Sequence, residues 1–139
     1  MKMRNGFFGL SLLLALAACS PPEPVKLGFL GGLSGRVADL GEAGRNGTLL
    51  AIEEANTGGG VNGRKIELLI YDDEQQATAA IKATEALVAA GVAAIIGPMT
   101  SSMGEAILPV ATRAGLVAVS YTHLRAHETD SYLVCRLLL

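Results

Sequence analysis

The feature that most constrains the fold is the alternation of short apolar runs with helical patterns between residues 25 and 120. Four runs are short and apolar, as is typical of buried strands, and helix-favouring segments separate them. The predicted strands cover residues 25–31, 65–72, 93–96 and 116–120, and the predicted helices cover residues 40–56, 75–90 and 102–114. This order predicts an α/β fold in which a parallel sheet carries helices on both faces. Right-handed crossovers limit the topology to a doubly wound sheet.

The N-terminus has the layout of a bacterial export signal. Lys2 and Arg4 supply positive charge, and residues 7–18 form an apolar stretch. This stretch is shorter than the about 20 residues that a helix needs to cross a bilayer. We therefore predict a cleaved signal helix over residues 1–18 and no transmembrane anchor.

The signal ends in Leu16, Ala17, Ala18 and Cys19. This ending resembles the lipobox of bacterial lipoproteins, which implies that lipid on Cys19 tethers the exported protein to a cell envelope membrane, on its periplasmic or extracellular face. An ordinary signal peptide with a chance cysteine is the alternative. Residues 19–24 include three prolines after the cysteine, so we predict a stiff, extended linker.

Composition excludes several classes of function. The chain has 139 residues, half of them hydrophobic, and a formal net charge of −2, which predicts one small domain without a nucleic-acid surface. Cys19 is assigned to lipid and Cys135 has no other partner, so no disulfide framework is implied. Neither histidine nor cysteine occurs between residues 20 and 120, so no catalytic set is evident and we predict neither an enzyme nor a cofactor.

A family resemblance runs from residue 25 to about residue 120. It rests on segments at 27–35 (LGFLGGLSG), 51–56 (AIEEAN), 58–64 (GGGVNGR), 71–73 (YDD) and 96–98 (IGP), together with Gly41 and Gly47. These segments, in this order, resemble the branched-chain amino-acid-binding proteins, which are type 1 periplasmic solute-binding proteins. The resemblance implies two similar lobes that close around a small ligand and deliver it to a membrane transporter. This chain would hold an incomplete first lobe over residues 25–120.

The resemblance implies a function and partners. We expect the solute-binding component of an ABC transporter that captures branched-chain or related amino acids and passes them to a permease. A regulatory lipoprotein that uses the same lobe for protein contacts, such as a cell-wall synthase activator, is the alternative. A nucleotide-dependent oxidoreductase is disfavoured by export and by the glycine spacing, since Gly28, Gly31, Gly32 and Gly35 do not form G-x-G-x-x-G.

Ligand residues are expected in the loops that follow the strands, because ligands of open α/β sheets lie beyond the carboxyl ends of the strands. The resemblance aligns Ser101 with a serine that contacts the ligand carboxylate, and Leu40 with a position that touches the ligand side chain. A helix that starts near this serine would also favour a carboxylate. Thr100, Ser102 and Ser34 are further candidates, although Ser102 with Glu105 also fits a capping box that needs no ligand.

Three adjacent acids, Asp72, Asp73 and Glu74, lie at the end of the second predicted strand. Such a cluster can bind calcium or magnesium through its oxygens. A solvated turn whose negative charge stabilises the first turn of the next helix is the interpretation we favour, so no metal site is predicted.

Residues 121–139 differ from the rest of the chain. They contain both histidines, two of the three tyrosines and Cys135. The string at 120–129 (SYTHLRAHET) resembles translated sequencing-adapter read-through, so we predict that this tail is disordered and not native. A zinc site formed by His123, His127 and Cys135 is disfavoured, because a fourth ligand has no candidate. With this tail in place of further ligand-binding loops, we predict weak or absent amino-acid binding by the chain as written.

Overall fold

The computed structural model describes residues 22–120. The predictions for the signal peptide, for Cys19 and for residues 121–139 lie outside the described residues. Among residues 22–120, no helix is both long enough and apolar enough to cross a membrane.

Four parallel strands form one sheet in the order β2-β1-β3-β4. The strands are β1 (Val25–Gly31), β2 (Ile66–Asp72), β3 (Ala94–Ile96) and β4 (Val117–Val119). The strand β1 pairs with β2 along its whole length and with β3 through Gly28 and Phe29. The strand order therefore reverses at β1, as it does in a doubly wound sheet. The predicted α/β fold with a parallel sheet is confirmed.

Helices cover both faces of the sheet. They are α1 (Ala38–Thr57), which follows a single 3-10 turn at Gly35–Val37, α2 (Ala77–Ala89) and α3 (Ser101–Ala114). Side chains alternate between the faces of a strand, so neighbours in β1 serve different helices. Leu30 is buried in the core that α2 and α3 form, while Phe29 points to α1 near Gly44.

The predicted and observed elements differ by one or two residues at most ends. The helix predicted from residue 75 begins at Ala77 because Glu74 and Gln75 both have left-handed backbone conformations, with φ of 50° and 53°. A right-handed helix excludes such φ values. The β2–α2 turn is therefore longer than the sequence suggests.

Asn56, near the end of α1, fixes the start of β2. Its Oδ1 accepts a hydrogen bond from the N–H of Ile66 at 2.7 Å, and its Nδ2 donates to the carbonyl of Ile66 at 2.9 Å. Arg64 ties the same region to the segment before β1, because its guanidinium donates to the carbonyl of Glu23 at 2.6 Å. These contacts lie at the amino edge of the sheet, opposite the loops in which ligand residues are predicted.

Candidate functional site

The loops after β1, β2 and β3 meet at the carboxyl edge of the sheet. The N–H of Asp73 donates to the carbonyl of Gly31 at 3.0 Å, which joins the first two loops. The hydroxyl of Thr100 lies 3.4 Å from Oε1 of Gln75, which joins the second loop to the third. The edge that was predicted to hold the ligand residues is therefore one connected surface.

Asp72 organises the loop between β1 and α1. Its Oδ1 accepts hydrogen bonds from the N–H groups of Leu33 and Glu74, each at 2.8 Å. Burial raises the pKa of Asp72, but hydrogen bonds from the Ser34 hydroxyl and from the N–H groups of Glu74, Leu33 and Ser34 outweigh it and hold the pKa below its ordinary value. The hydroxyl of Ser34 thus lies at the edge with a structural partner, and its contact with a ligand stays a prediction.

The same loop is fixed from the other side by α1. A Cβ atom on Gly41 would collide with the carbonyl oxygen of Gly32, so the helix can approach the loop this closely only with glycine at position 41. The first turn of α1 is thereby held against the loop that carries Ser34.

The turn between β3 and α3 differs from the predicted capping box. Thr100 is the N-cap, with extended backbone (φ −128°, ψ 146°), and α3 begins at Ser101. The predicted capping box of Ser102 and Glu105 is wrong, because α3 begins at Ser101. Ser102 is therefore the second residue of the helix and not its N-cap. Thr100 makes no side-chain cap, so no side chain caps the first turn of α3 among the described residues. Within residues 22–120, the positive end of this helix therefore lies at the carboxyl edge without a side-chain cap.

The acidic cluster is only partly the solvated turn that was predicted. Glu74 is exposed, but Asp73 is fully buried, with 0% of its surface accessible. None of the three acids lies in the first turn of α2, because the left-handed residues delay the start of that helix. The predicted stabilisation of this turn by negative charge is therefore wrong. Within residues 22–120, no three acidic, histidine or cysteine side chains group closely enough to hold a metal ion.

An apolar cavity of about 700 Å³ opens between α1 and the sheet. Leu40 lies at its mouth with 47% of its surface exposed, and Met99 and Ser120 line it from the strand ends. Leu40 is thus next to the loops of the carboxyl edge, whereas Ser34, Thr100, Ser101 and Ser102 lie in or beside those loops. Met99 was not predicted, because nothing in the sequence indicates to which face of the sheet the residue after Pro98 turns.

The comparison with known proteins identifies the family. Residues 24–136 match the periplasmic binding protein family, so the chain belongs to that family. The matched range runs past Ser120 and includes most of the tail that we predict to be foreign. The predicted membership of the type 1 periplasmic binding proteins is confirmed.

Individual relatives are similar to the chain over part of their length. The leucine-, isoleucine-, valine-, threonine- and alanine-binding protein of Pseudomonas aeruginosa is 30% identical over 125 residues, which cover 85% of this chain and 34% of that protein. The transporter substrate-binding protein LivJ of Streptococcus pneumoniae, solved with isoleucine, has a TM-score of 0.68 at 36% identity, over 70% of this chain and 28% of that one.

A third relative is the substrate-binding protein of Desulfitobacterium hafniense in complex with leucine, with a TM-score of 0.62 at 31% identity, over 71% of this chain and 28% of that one. The chain thus spans about a third or less of the length of these relatives.

Proposed function

We propose that this chain is the N-terminal part of an extracytoplasmic, lipid-anchored solute-binding component of an ABC transporter, and that its solute is a branched-chain or related amino acid. The observation that carries the proposal is the uncapped first turn of α3, which starts at Ser101 at the carboxyl edge of the sheet. Free amide hydrogens and the helix dipole at this place favour a carboxylate, which every amino acid carries.

The apolar cavity supports an aliphatic side chain on that solute. Leu40 and Met99 line it beside the carboxyl edge, and their apolar side chains would contact an aliphatic group by dispersion and burial. The relatives agree with this chemistry, since the structures from Streptococcus pneumoniae and Desulfitobacterium hafniense are complexes with isoleucine and leucine. Membership of the periplasmic binding protein family supports the proposed carrier role.

The binding test is calorimetry with leucine, isoleucine and valine on the protein from the complete gene. Ser101→Ala should weaken binding at least about tenfold, because a hydrogen bond to a charged group contributes about 1.5–3 kcal/mol. Thr78→Ala is the matched control, since it removes a hydroxyl from the second residue of α2, where Thr78 is exposed. Unchanged affinity for Ser101→Ala would count against the assignment.

The chain as written makes a second test. It lacks the additional length of the relatives, so the purified 139-residue protein should bind these amino acids weakly or not at all. Micromolar binding by this protein would refute that expectation.

The tether is proposed from the sequence alone. Cys19→Ser should move the protein from the membrane fraction to the soluble fraction, because the lipid chains contribute about 0.8 kcal/mol for each buried methylene group. A mutant that still partitions with membranes would contradict the proposed anchor. Co-purification with a permease from detergent-solubilised membranes tests the transporter partner.

A further inference from the structure

The side chain of Gln75 contacts all three loops of the carboxyl edge. Its Nε2 donates to Oδ1 of Asp73 at 2.8 Å, and its Oε1 lies 3.4 Å from the hydroxyl of Thr100. The same Nε2 is 2.7 Å from the place that a Cβ atom on Gly32 would take, so the amide fills the space beside the β1–α1 loop. One carboxamide thus connects the loops that carry Ser34 and Ser101.

The position of Gln75 is fixed by a buried carboxylate. Oδ1 of Asp73 accepts from both the backbone N–H and the Nε2 of Gln75, each at 2.8 Å. Asp73 has no accessible surface, and its Oδ2 has no partner among the described residues. A buried carboxylate with so few hydrogen-bond partners is destabilised by the loss of any one of them. The left-handed backbone of Gln75 persists because these contacts hold it.

This arrangement gives the hydroxyl of Thr100 an unusual role. A threonine at an N-cap ordinarily accepts a hydrogen bond from the second or third N–H of its helix. Thr100 occupies the N-cap of α3 but makes no such bond, and its hydroxyl points to Gln75 instead. The N–H groups of Ser102 and Met103 therefore lack the cap that the residue type would supply.

We propose that Gln75 is a positioning residue, which holds the Thr100 hydroxyl away from the α3 cap and so keeps the first amide hydrogens of α3 available to the ligand carboxylate. This inference rests on the proposed function and deepens it. Without the carboxamide, the Thr100 hydroxyl turns to its ordinary cap position, and a ligand then has to displace it.

The test compares Gln75→Met, which keeps the length of the side chain and removes its hydrogen bonds, with Gln76→Met in the full-length protein. Gln76 is exposed and makes no side-chain cap, so it is the matched control. A threonine cap changes an equilibrium by about fivefold, so Gln75→Met should weaken leucine binding about fivefold by calorimetry. Gln76→Met should stay within about twofold of the parent protein.

The second readout needs no ligand. Amide hydrogen exchange at Ser102 and Met103 in the ligand-free protein should slow about fivefold in Gln75→Met, because the Thr100 cap now protects them. Thr100→Val removes the hydroxyl, so in that background Gln75→Met should change neither exchange nor leucine affinity by more than about twofold. Equal effects in both backgrounds, or unchanged exchange in Gln75→Met, overturn the proposal.

The two failures are distinguishable. If the parent protein binds no amino acid but the exchange changes occur as expected, the proposed function fails and the role of Gln75 stands. If Gln75→Met does not fold, Gly32→Ala in a Val37→Ala background replaces it, because the added methyl group would displace the Gln75 amide and Val37→Ala removes its other equally close contact, Cγ2 of Val37. The same slowing of exchange is expected there, and its absence overturns the proposal.

Discussion

Gly41→Ala and Gly47→Ala make the same chemical change at two places in α1. A Cβ atom on Gly41 would collide with the carbonyl oxygen of Gly32, whereas one on Gly47 would meet no atom within 4 Å. Both positions lie inside the helix, so alanine brings the same gain in helix propensity, about 1 kcal/mol, to each variant. The difference between their stabilities therefore isolates the effect of the collision.

The size of that stability difference depends on the atom that the added Cβ would meet, which is the carbonyl oxygen of Gly32. A backbone carbonyl cannot rotate away as a side chain can, so the loop or the helix has to move. Overpacking of this kind costs about 1–3 kcal/mol. Gly47→Ala should therefore gain up to about 1 kcal/mol, and Gly41→Ala should be about 1–3 kcal/mol less stable than Gly47→Ala.

Urea and thermal unfolding followed by circular dichroism measure both variants, in the chain from Ser20 onward. For a domain of this size, the midpoint of Gly41→Ala should lie at least about 4 °C below that of Gly47→Ala. Equal midpoints would refute the close approach of α1 to the β1–α1 loop. A higher midpoint for Gly41→Ala would refute it more strongly.

Three further predictions concern other parts of the chain. Asn56→Ala removes both hydrogen bonds to the backbone of Ile66 and should lower the free energy of unfolding in a urea titration by about 2 kcal/mol relative to Asn46→Ala, which makes the same change of residue type in α1 and removes only exposed hydrogen bonds from Arg45. A loss that is equal in the two variants would contradict the role of Asn56. The pKa of Asp72 is lower in the folded state than in the unfolded chain, so its contribution to stability is present above the unfolded pKa and is lost as the pH falls through the folded one. Asp72→Asn should therefore lose less stability than the parent between about pH 5 and pH 2, and an equal loss would show that the hydrogen bonds to this carboxylate do not favour its charged form. Resequencing of the locus tests the predicted foreign origin of residues 121–139: a different sequence after Ser120 would support it, and an unchanged one would show that the tail is native, in line with the family match through residue 136.

The strands were the most predictable part of the fold. The span predicted for β1 is confirmed residue for residue at Val25–Gly31, because an apolar run between a proline-rich segment and a glycine pair leaves little choice. The order of strands and helices then determined the parallel sheet. The meeting of the loops after β1, β2 and β3 at one edge of the sheet was predictable as well, since it follows from topology, whereas ligand contact in these loops stays a prediction.

The details of the edge were not predictable, for physical reasons that differ between residues. Two adjacent acids follow β2, and the sequence does not indicate that Asp73 turns inward. Left-handed backbone at Glu74 and Gln75 gives no sequence signal of the kind that glycine gives. Three hydroxyl residues in a row each fit an N-cap, so the pattern could not select Thr100 over Ser102.

The link between Asn56 and Ile66 also bears on the order in which the chain folds. It closes a loop of only 10 positions, whereas the contact of Arg64 with Glu23 spans 41. The entropy of loop closure rises with the logarithm of length, so the shorter loop costs about 1 kcal/mol less to form. We expect the turn from α1 into β2 to form early, so that β2 is already aligned when it pairs with β1. The contact of Arg64 with Glu23, which spans more of the chain, then forms later.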